Sequence, residues 1–338
     1  MSTVDDQPLE PVRSIEFLAA RPATCWEATG ATRSYSTYYA LFLSLALMLG
    51  GSYPMTNVGL RGFDPLSLVL VRLAIGALFL GVWMAFRSQP FPRDRRMLRL
   101  LAAIGVLNAA GSFLLVTWGQ KYVTASYTAI LVGSNPIFVS VGAAFVLPDE
   151  YLTPRRMLGI LVGFGGVVCL FSNELGLGGV SGGVHAILGA LAILGGAIAL
   201  AIVAITVRVR LSALSPAQVA LPMLLSGLVA VSAAIVPLRL TGAVPVKFEP
   251  YKLGSLAAMV TLGVLNAGIG NLVYYTLIRK WGVTRTALVG YVVPLVGVAL
   301  GVLLLHDRIG LNMVAGLVLI TLSLLYANPL RSRRVSAV

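Results

Sequence analysis

The chain alternates long apolar runs with short polar segments. Most of these runs hold close to the ~20 residues that a helix needs to cross about 30 Å of hydrocarbon. In that medium each backbone polar group must be satisfied within its own segment, so runs of this length are expected to be helices. The pattern predicts an all-α membrane protein with ten transmembrane helices, at residues 38–60, 65–87, 97–119, 123–147, 154–172, 184–207, 216–238, 253–278, 283–305 and 310–327.

Polar and helix-breaking residues mark the boundaries between the predicted helices. Gln89–Pro92 is a polar loop, Gly176–Gly183 is rich in glycine, and Pro65 suits the first turn of a helix, where its missing N–H costs nothing. We expect a disordered cytoplasmic tail, a five-helix unit, a linker, a second five-helix unit and a basic cytoplasmic tail, at residues 1–37, 38–172, 173–183, 184–328 and 329–338. An alternative for part of the first tail is an amphipathic helix lying on the membrane.

The composition also indicates a membrane protein. Of the 338 residues, 58% are hydrophobic and only 11% are charged, and the mean hydropathy is +0.90. A soluble domain carries about 25% charged residues because its surface faces water. Cys25 and Cys169 are the only cysteines, so a disulfide framework is not expected.

The basic residues are distributed unevenly between the two sides of the predicted bundle. If the N-terminus is cytoplasmic, the cytoplasmic segments hold most of them, including Arg93, Arg95, Arg96 and Arg99. The opposite side holds Arg61, Lys121, Arg239, Lys247, Lys252 and Arg308. The positive-inside rule therefore predicts that both termini are cytoplasmic. The net charge of +13 is a topology signal, and no nucleic-acid partner is needed to explain it.

The two halves of the chain share a sequence register. Gly105–Ala109 and Gly263–Ala267 both read Gly-Val-Leu-Asn-Ala, and at the same separation Pro136 corresponds to Pro294. These matches predict an internal duplication. Because each predicted half has an odd number of spans, the second half must cross the membrane in the opposite orientation. Two inverted five-helix repeats are a transporter architecture, in which the halves exchange shapes to open the protein to either side.

The chain resembles the drug/metabolite transporter superfamily, in its EamA-type branch of ten-helix bacterial exporters. The resemblance is carried by Arg72–Gly76, Ala129–Pro136, the turn Pro148–Pro154 and the glycine-rich stretch Gly159–Gly166. The chain departs from the family at His306-Asp307-Arg308, where Gly-Glu-Arg is usual. The resemblance implies a secondary transporter of the inner membrane that exports amino acids or related amphipathic metabolites. Drug, toxic-compound or nucleotide-sugar transport is the alternative.

Polar and aromatic side chains within the spans fall on shared helix faces. Tyr53, Thr56 and Asn57 lie three and four residues apart, and Asn108 and Ser112 repeat that spacing. One interpretation is an amphipathic cavity that binds a solute; the other is hydrogen bonding that only joins helices. The candidate substrate-binding residues are Tyr53, Asn57, Asn108, Ser112, Trp118, Tyr127, Asn135, Asn266, Asn271, Tyr275 and Tyr291.

Arg72 is a charge well inside a predicted span. It either extends outward to water or faces inward to a solute carboxylate or to helix carbonyls, as intramembrane charges usually do. The resemblance implies a structural or gating role for it. Glu150 and Asp307 lie at predicted helix ends, where capping and loop ion pairs with Arg155 or Arg156 compete with proton coupling as interpretations.

Proline and glycine complete the candidate gating set. Pro136 and Pro294 interrupt the helix hydrogen bonding at corresponding places, so we expect a paired break that allows bending. Gly159 with Gly163, and likewise Gly297 with Gly301, form Gly-x-x-x-Gly pairs that permit close helix packing.

The sequence argues against an enzyme and against a channel. His185 and His306 are the only histidines, and no His-Glu-x-x-His, Gly-x-Ser-x-Gly or P-loop motif occurs. A channel would need a more hydrophilic lining than these spans offer. We therefore expect no catalysis, no cofactor and no metal. The expected partners are a small-molecule solute and the lipid bilayer, with the chain a monomer or weak homodimer.

Overall fold

The computed structural model describes residues 35–146, 154–174, 183–240, 253–281, 286 and 289–327. The chain divides into two units, Met1–Thr37 and Tyr38–Val338, and the helices below belong to the second apart from the first turn of α1. The expectations for the two tails, the glycine-rich linker and Glu150 lie outside the described residues. So do the side chains of Arg155, Arg156 and Tyr291.

The described residues form helices and no strands. The helices are α1 Tyr35–Leu60, α2 Pro65–Phe86, α3 Arg95–Gly119, α4 Ala125–Val146, α5 Pro154–Glu174, α6 Gly183–Arg210, α7 Pro216–Leu240, α8 from Leu253 to Trp281, α9 Val289–Leu305 and α10 Leu311–Ala327. Seven of these, α1 to α4 and α6 to α8, are long and apolar enough to cross a membrane. Three shorter apolar helices are Met157–Cys169, Val292–Leu305 and Leu311–Ser323. The prediction of an all-helical membrane protein is confirmed at this level.

Side-chain caps explain where several helices begin. The Asp64 carboxylate accepts hydrogen bonds from the Ser67 backbone N–H at 3.0 Å and from its hydroxyl at 2.6 Å. Pro65, the first residue of α2, has no N–H to satisfy. Thr124 caps α4 in the same way, accepting from the Tyr127 N–H at 3.2 Å. Each cap satisfies a donor that the first helical turn leaves unpaired.

Three helices change geometry near their middle. In α3, residues Leu107–Leu114 form a π-helical segment, and in α8 residues Leu262–Gly270 form another. A π-helical turn is wider than an α-helical turn and is frequent at functional sites. In α8 the Asn271 side-chain amide donates to the Ala267 carbonyl at 2.9 Å. The helix α4 is interrupted at residues 133–134, between Ala125–Val132 and Asn135–Val146.

Close packing at glycine joins helices from distant parts of the chain. α5 lies against α10, where the Ser323 hydroxyl donates to the Gly159 carbonyl at 2.5 Å. α9 lies against α4, and a Cβ on Gly297 or Gly301 would overlap Ala129 or Ser126 of α4. The predicted close approach at both glycine pairs is confirmed.

Candidate functional site

A cavity of about 190 Å³ lies within the bundle. Its walls come from α1, α2, α3, α4, α6, α8 and α9, together with Thr286. Aliphatic side chains form much of the lining, and polar or aromatic groups from several helices point into it. These groups are Ser52, Tyr53, Thr56, Arg72, Asn108, Ser112, Phe113, Thr117, Gln120, Asn135, Asn266, Asn271, Tyr274, Tyr275 and Thr286. An apolar cavity with a few convergent polar groups is the usual form of a small-molecule site.

The two π-helical segments bring matching asparagines to the cavity. Asn108 lies in the segment of α3 and Asn266 in that of α8, and each follows a leucine and precedes an alanine. Both side chains are buried, as is Ser112 one turn after Asn108. Within the described part of the chain, Asn108 Oδ1, Ser112 Oγ and Asn266 Nδ2 have no hydrogen-bond partner. Buried polar atoms normally have partners, so these three are available to a bound solute.

Arg72 connects the two π-helical segments. Its side chain is only 6% exposed, so it faces inward and does not extend to the membrane surface. One guanidinium nitrogen, Nη2, donates to Asn266 Oδ1 in α8. The guanidinium carbon lies 4.3 Å from the centre of the Phe113 ring in α3, a cation–π contact. Arg72 therefore faces inward, and its neighbours are a side-chain amide and an aromatic ring.

The structure brings together most of the predicted binding residues. Tyr53, Asn108, Ser112, Asn135, Asn266, Asn271 and Tyr275 all line the cavity, as do Arg72 and Pro136. Asn135 also joins helices, because its amide donates to the Ala197 carbonyl of α6 at 2.7 Å. Asn135 thus both lines the cavity and joins two helices.

Three predicted residues lie elsewhere. The cavity-facing stripe of α1 runs through Leu49, Ser52, Tyr53 and Thr56, and Asn57 projects about 90° away from its centre. Trp118 packs edge-on against Tyr122, with ring centres 5.1 Å apart. Tyr127 is buried in a cluster of apolar side chains that includes Ile130, Leu131 and Ile193.

Several lining residues were not predicted as site residues, and Gln120 and Phe113 are two of them. Gln120 is 3% exposed, and its amide donates to the Tyr53 carbonyl at 3.2 Å, which joins the end of α3 to α1. Gln120 follows the last residue of α3, and at regular helical spacing it lies about 80–120° from Ser112 and Asn108, so their shared face does not predict it. Phe113 is apolar in sequence, and only its position over Arg72 marks it.

The two prolines pack against each other's helices. The Pro136 ring of α4 packs so closely on Gly290 of α9 that a side chain at Gly290 would overlap it. The Pro294 ring of α9 packs on Gly133 of α4 in the same way. The break expected near Pro136 is present, but the described part of α9 is helical through Pro294.

Asp307 connects the turn between α9 and α10 to the start of α4 by hydrogen bonds. Its carboxylate accepts hydrogen bonds from the Ser126 backbone N–H at 3.0 Å and from the Ser126 hydroxyl at 2.8 Å. This is the capping interpretation, although the capped helix belongs to the other half of the sequence. Asp307 is not among the residues that line the cavity.

Comparison with known proteins places this bundle in a family. The sequence model of the EamA-like transporter family matches residues 36–172 and 187–328. The chain belongs to the EamA-like transporter family. Its drug/metabolite transporter resemblance is thereby confirmed, and the protein is a multi-pass membrane transporter.

Individual relatives of this EamA-like chain are distant. It is 23% identical to the uncharacterized transporter YoaV of Bacillus subtilis over 82% of this chain and 92% of that protein. It is 24% identical to the uncharacterized transporter YvbV of the same organism, over 86% and 92%. A solved crystal structure aligns with a TM-score of 0.64 and 19% identity over 90% of this chain and 100% of that one. At that identity the likeness is one of fold alone.

Proposed function

We propose that this protein is a secondary transporter of the inner membrane that exports small amphipathic metabolites, such as amino acids, by alternating access. The observation that carries the proposal is the cavity itself. It is lined by α1 to α4 and by α6, α8 and α9, so both proposed halves contribute to it. Its unpartnered polar atoms come from both halves, on Asn108 and Ser112 of α3 and on Asn266 of α8. Aromatic and aliphatic side chains beside them suit the apolar part of a solute.

Alternating access requires two conformations that open to opposite sides. We propose that α1 to α5 and α6 to α10 are inverted repeats and that all ten helices span the bilayer. Three observations support this: the family match over two ranges, the π-helical segments at corresponding positions, and the reciprocal packing of each proline on a glycine of the other helix. Repeats of this kind provide the second conformation by exchanging the shapes of the two halves. The Lys and Arg distribution supports cytoplasmic termini.

Counterflow in vesicles tests the proposal. Purified protein is reconstituted with an unlabelled solute inside, and entry of the labelled solute is followed for a panel of amphipathic metabolites. A carrier gives a transient accumulation of label, whereas a channel gives none. Asn108→Leu and Asn266→Leu should each lower counterflow without loss of monodisperse protein. Asn57→Leu is the matched control, because Asn57 does not line the cavity. Equal losses in all three variants, or failure of both cavity variants to fold, would contradict the site assignment.

A further inference from the structure

Among its described lining residues the cavity has a positive charge and no negative charge. Arg72 is the only ionised side chain among the lining residues that the structure describes. Its hydrogen-bond acceptor, Asn266 Oδ1, is neutral, and Phe113 supplies only the face of a ring. A buried cation is costly unless a negative charge or several acceptors compensate it. The cavity therefore carries an excess positive charge at one fixed place.

Two unpartnered donors lie side by side at that place. Arginine can only donate hydrogen bonds, so the amide oxygen of Asn266 must face it and the amide nitrogen must point elsewhere. Asn266 Nδ2 is bonded to the same amide carbon as the oxygen that Arg72 contacts, so it lies beside the guanidinium. Asn266 Nδ2 and Arg72 Nε are buried, and neither has a partner within the described residues. Adjacent donors, one on a cation, match the oxygens of a carboxylate.

The rest of the described lining suits an apolar body and offers a cation no carboxylate. Phe113, Tyr274 and Tyr275 contribute aromatic rings to the lining, and Phe113 lies beside Arg72. The free acceptors, Asn108 Oδ1 and Gln120 Oε1, take a hydrogen bond from a solute N–H or O–H but bring no full negative charge. A solute ammonium therefore meets neutral acceptors and the repulsion of Arg72, whereas a solute carboxylate meets a cation.

We infer that Arg72 and Asn266 form a carboxylate-binding subsite and that the solutes of this protein are amphipathic carboxylates whose amino group is dispensable. The inference rests on the proposed transport function and narrows it. Amino acids, hydroxy acids and simple organic acids fall within the class. Lipophilic cations, which form one kind of drug substrate, fall outside it.

Three compounds with the same benzyl group test separately how the carboxylate and the ammonium of a solute contribute to binding. At about pH 6, phenylalanine carries both charges, 3-phenylpropionate only the carboxylate, and phenylalaninamide only the ammonium. Binding to purified protein in detergent is measured by titration calorimetry, so membrane permeation of the compounds plays no part. We expect 3-phenylpropionate to bind within a few-fold of phenylalanine, and phenylalaninamide about tenfold or more weaker. Tighter binding of the amide, or binding of none of the three, overturns the inference.

Two variants test whether Arg72 and Asn266 cause the preference for the carboxylate. Arg72→Gln should lower the affinity for 3-phenylpropionate about tenfold and remove the preference for it over phenylalaninamide. Asn266→Asp keeps the side-chain shape and places a carboxylate against Arg72, so it should remove 3-phenylpropionate binding while the protein stays folded. Arg87→Gln is the control, because Arg87 lies over Trp83 and outside the cavity lining. Counterflow that persists in Arg72→Gln with unchanged preference overturns the subsite and leaves the proposed transport function standing.

Discussion

At the crossing of α4 and α9, a single added methyl group should be enough to displace a helix. In Gly290→Ala the new Cβ would lie 2.5 Å from Pro136 Cγ and 3.4 Å from Pro136 Cδ. Carbon atoms in good contact are about 3.5–4.0 Å apart, so the two helices must separate by about 1 Å. Both helices line the cavity, and the displacement should be felt there.

The change in the free energy of unfolding of Gly290→Ala combines two opposing effects. Replacing glycine by alanine within a helix is favourable by about 1 kcal/mol in intrinsic propensity. Overpacking a well-filled site usually costs about 1–3 kcal/mol. Gly81→Ala isolates the first effect, because a Cβ on Gly81 has nothing within 4 Å. We therefore expect Gly290→Ala to be about 1–3 kcal/mol less stable than Gly81→Ala.

The assay is thermal unfolding of purified protein in detergent at one fixed scan rate, since membrane-protein unfolding is often irreversible. In chains of about 150–250 residues 1 kcal/mol shifts the Tm by about 2–4 °C, so a difference of several degrees is measurable. The decisive comparison adds Pro136→Ala. That change removes Cγ and Cδ and leaves Pro136 Cβ, 3.9 Å from the new methyl group, as an ordinary contact.

The double variant Gly290→Ala/Pro136→Ala should therefore recover most of what Gly290→Ala loses, with a favourable coupling free energy of about 1–3 kcal/mol. If Gly290→Ala costs as much in the Pro136→Ala background as in the wild type, the reciprocal proline–glycine packing is not the cause. An unchanged Tm in Gly290→Ala relative to Gly81→Ala would refute the close approach itself.

Three further outcomes are expected. Asp307→Asn should lower the Tm modestly and Ser126→Ala should do the same, with less than additive effects in the double variant because one contact is lost in each case. Reporter fusions after Leu330 and within Gly176–Gly183 should read cytoplasmic and external, and the reverse pattern would overturn the proposed orientation. Pro136→Ala and Pro294→Ala should each slow counterflow if the two helices bend during transport, and wild-type rates in both variants would leave the prolines as packing features only.

The helical architecture was predictable because the bilayer restricts what an apolar run can form. Each predicted segment contains helix in the structure, and caps such as Asp64 and Thr124 lie where polar loop residues precede an apolar run. The cavity was predictable in part, because buried asparagines such as Asn108 and Asn266 are costly in hydrocarbon unless they have partners or a function.

The remaining details depend on geometry that the local pattern does not contain. A helix face read from spacing alone has an uncertainty of about a quarter turn, which decides whether Thr56 or Asn57 faces the cavity. Nothing in Gly105–Ala109 distinguishes a π-helical from an α-helical turn, so the segment in α3 was not predicted. The partners of Arg72 lie on different helices, distant in sequence, and Phe113 has no polar group to mark it.

The positive charge that Arg72 brings to the cavity also has a consequence for the energetics of export. A monoanion bound beside Arg72 would cross in a complex of no net charge, and the empty site would return with its positive charge. Each cycle would thus carry one negative charge out of the cell. With a membrane potential of about 100 mV, negative inside, that movement is favourable by about 2.3 kcal/mol. It corresponds to a roughly 50-fold outward gradient without any coupled proton. A zwitterion would gain nothing from the membrane potential. The net charge of the solute would therefore decide whether the membrane potential drives its export.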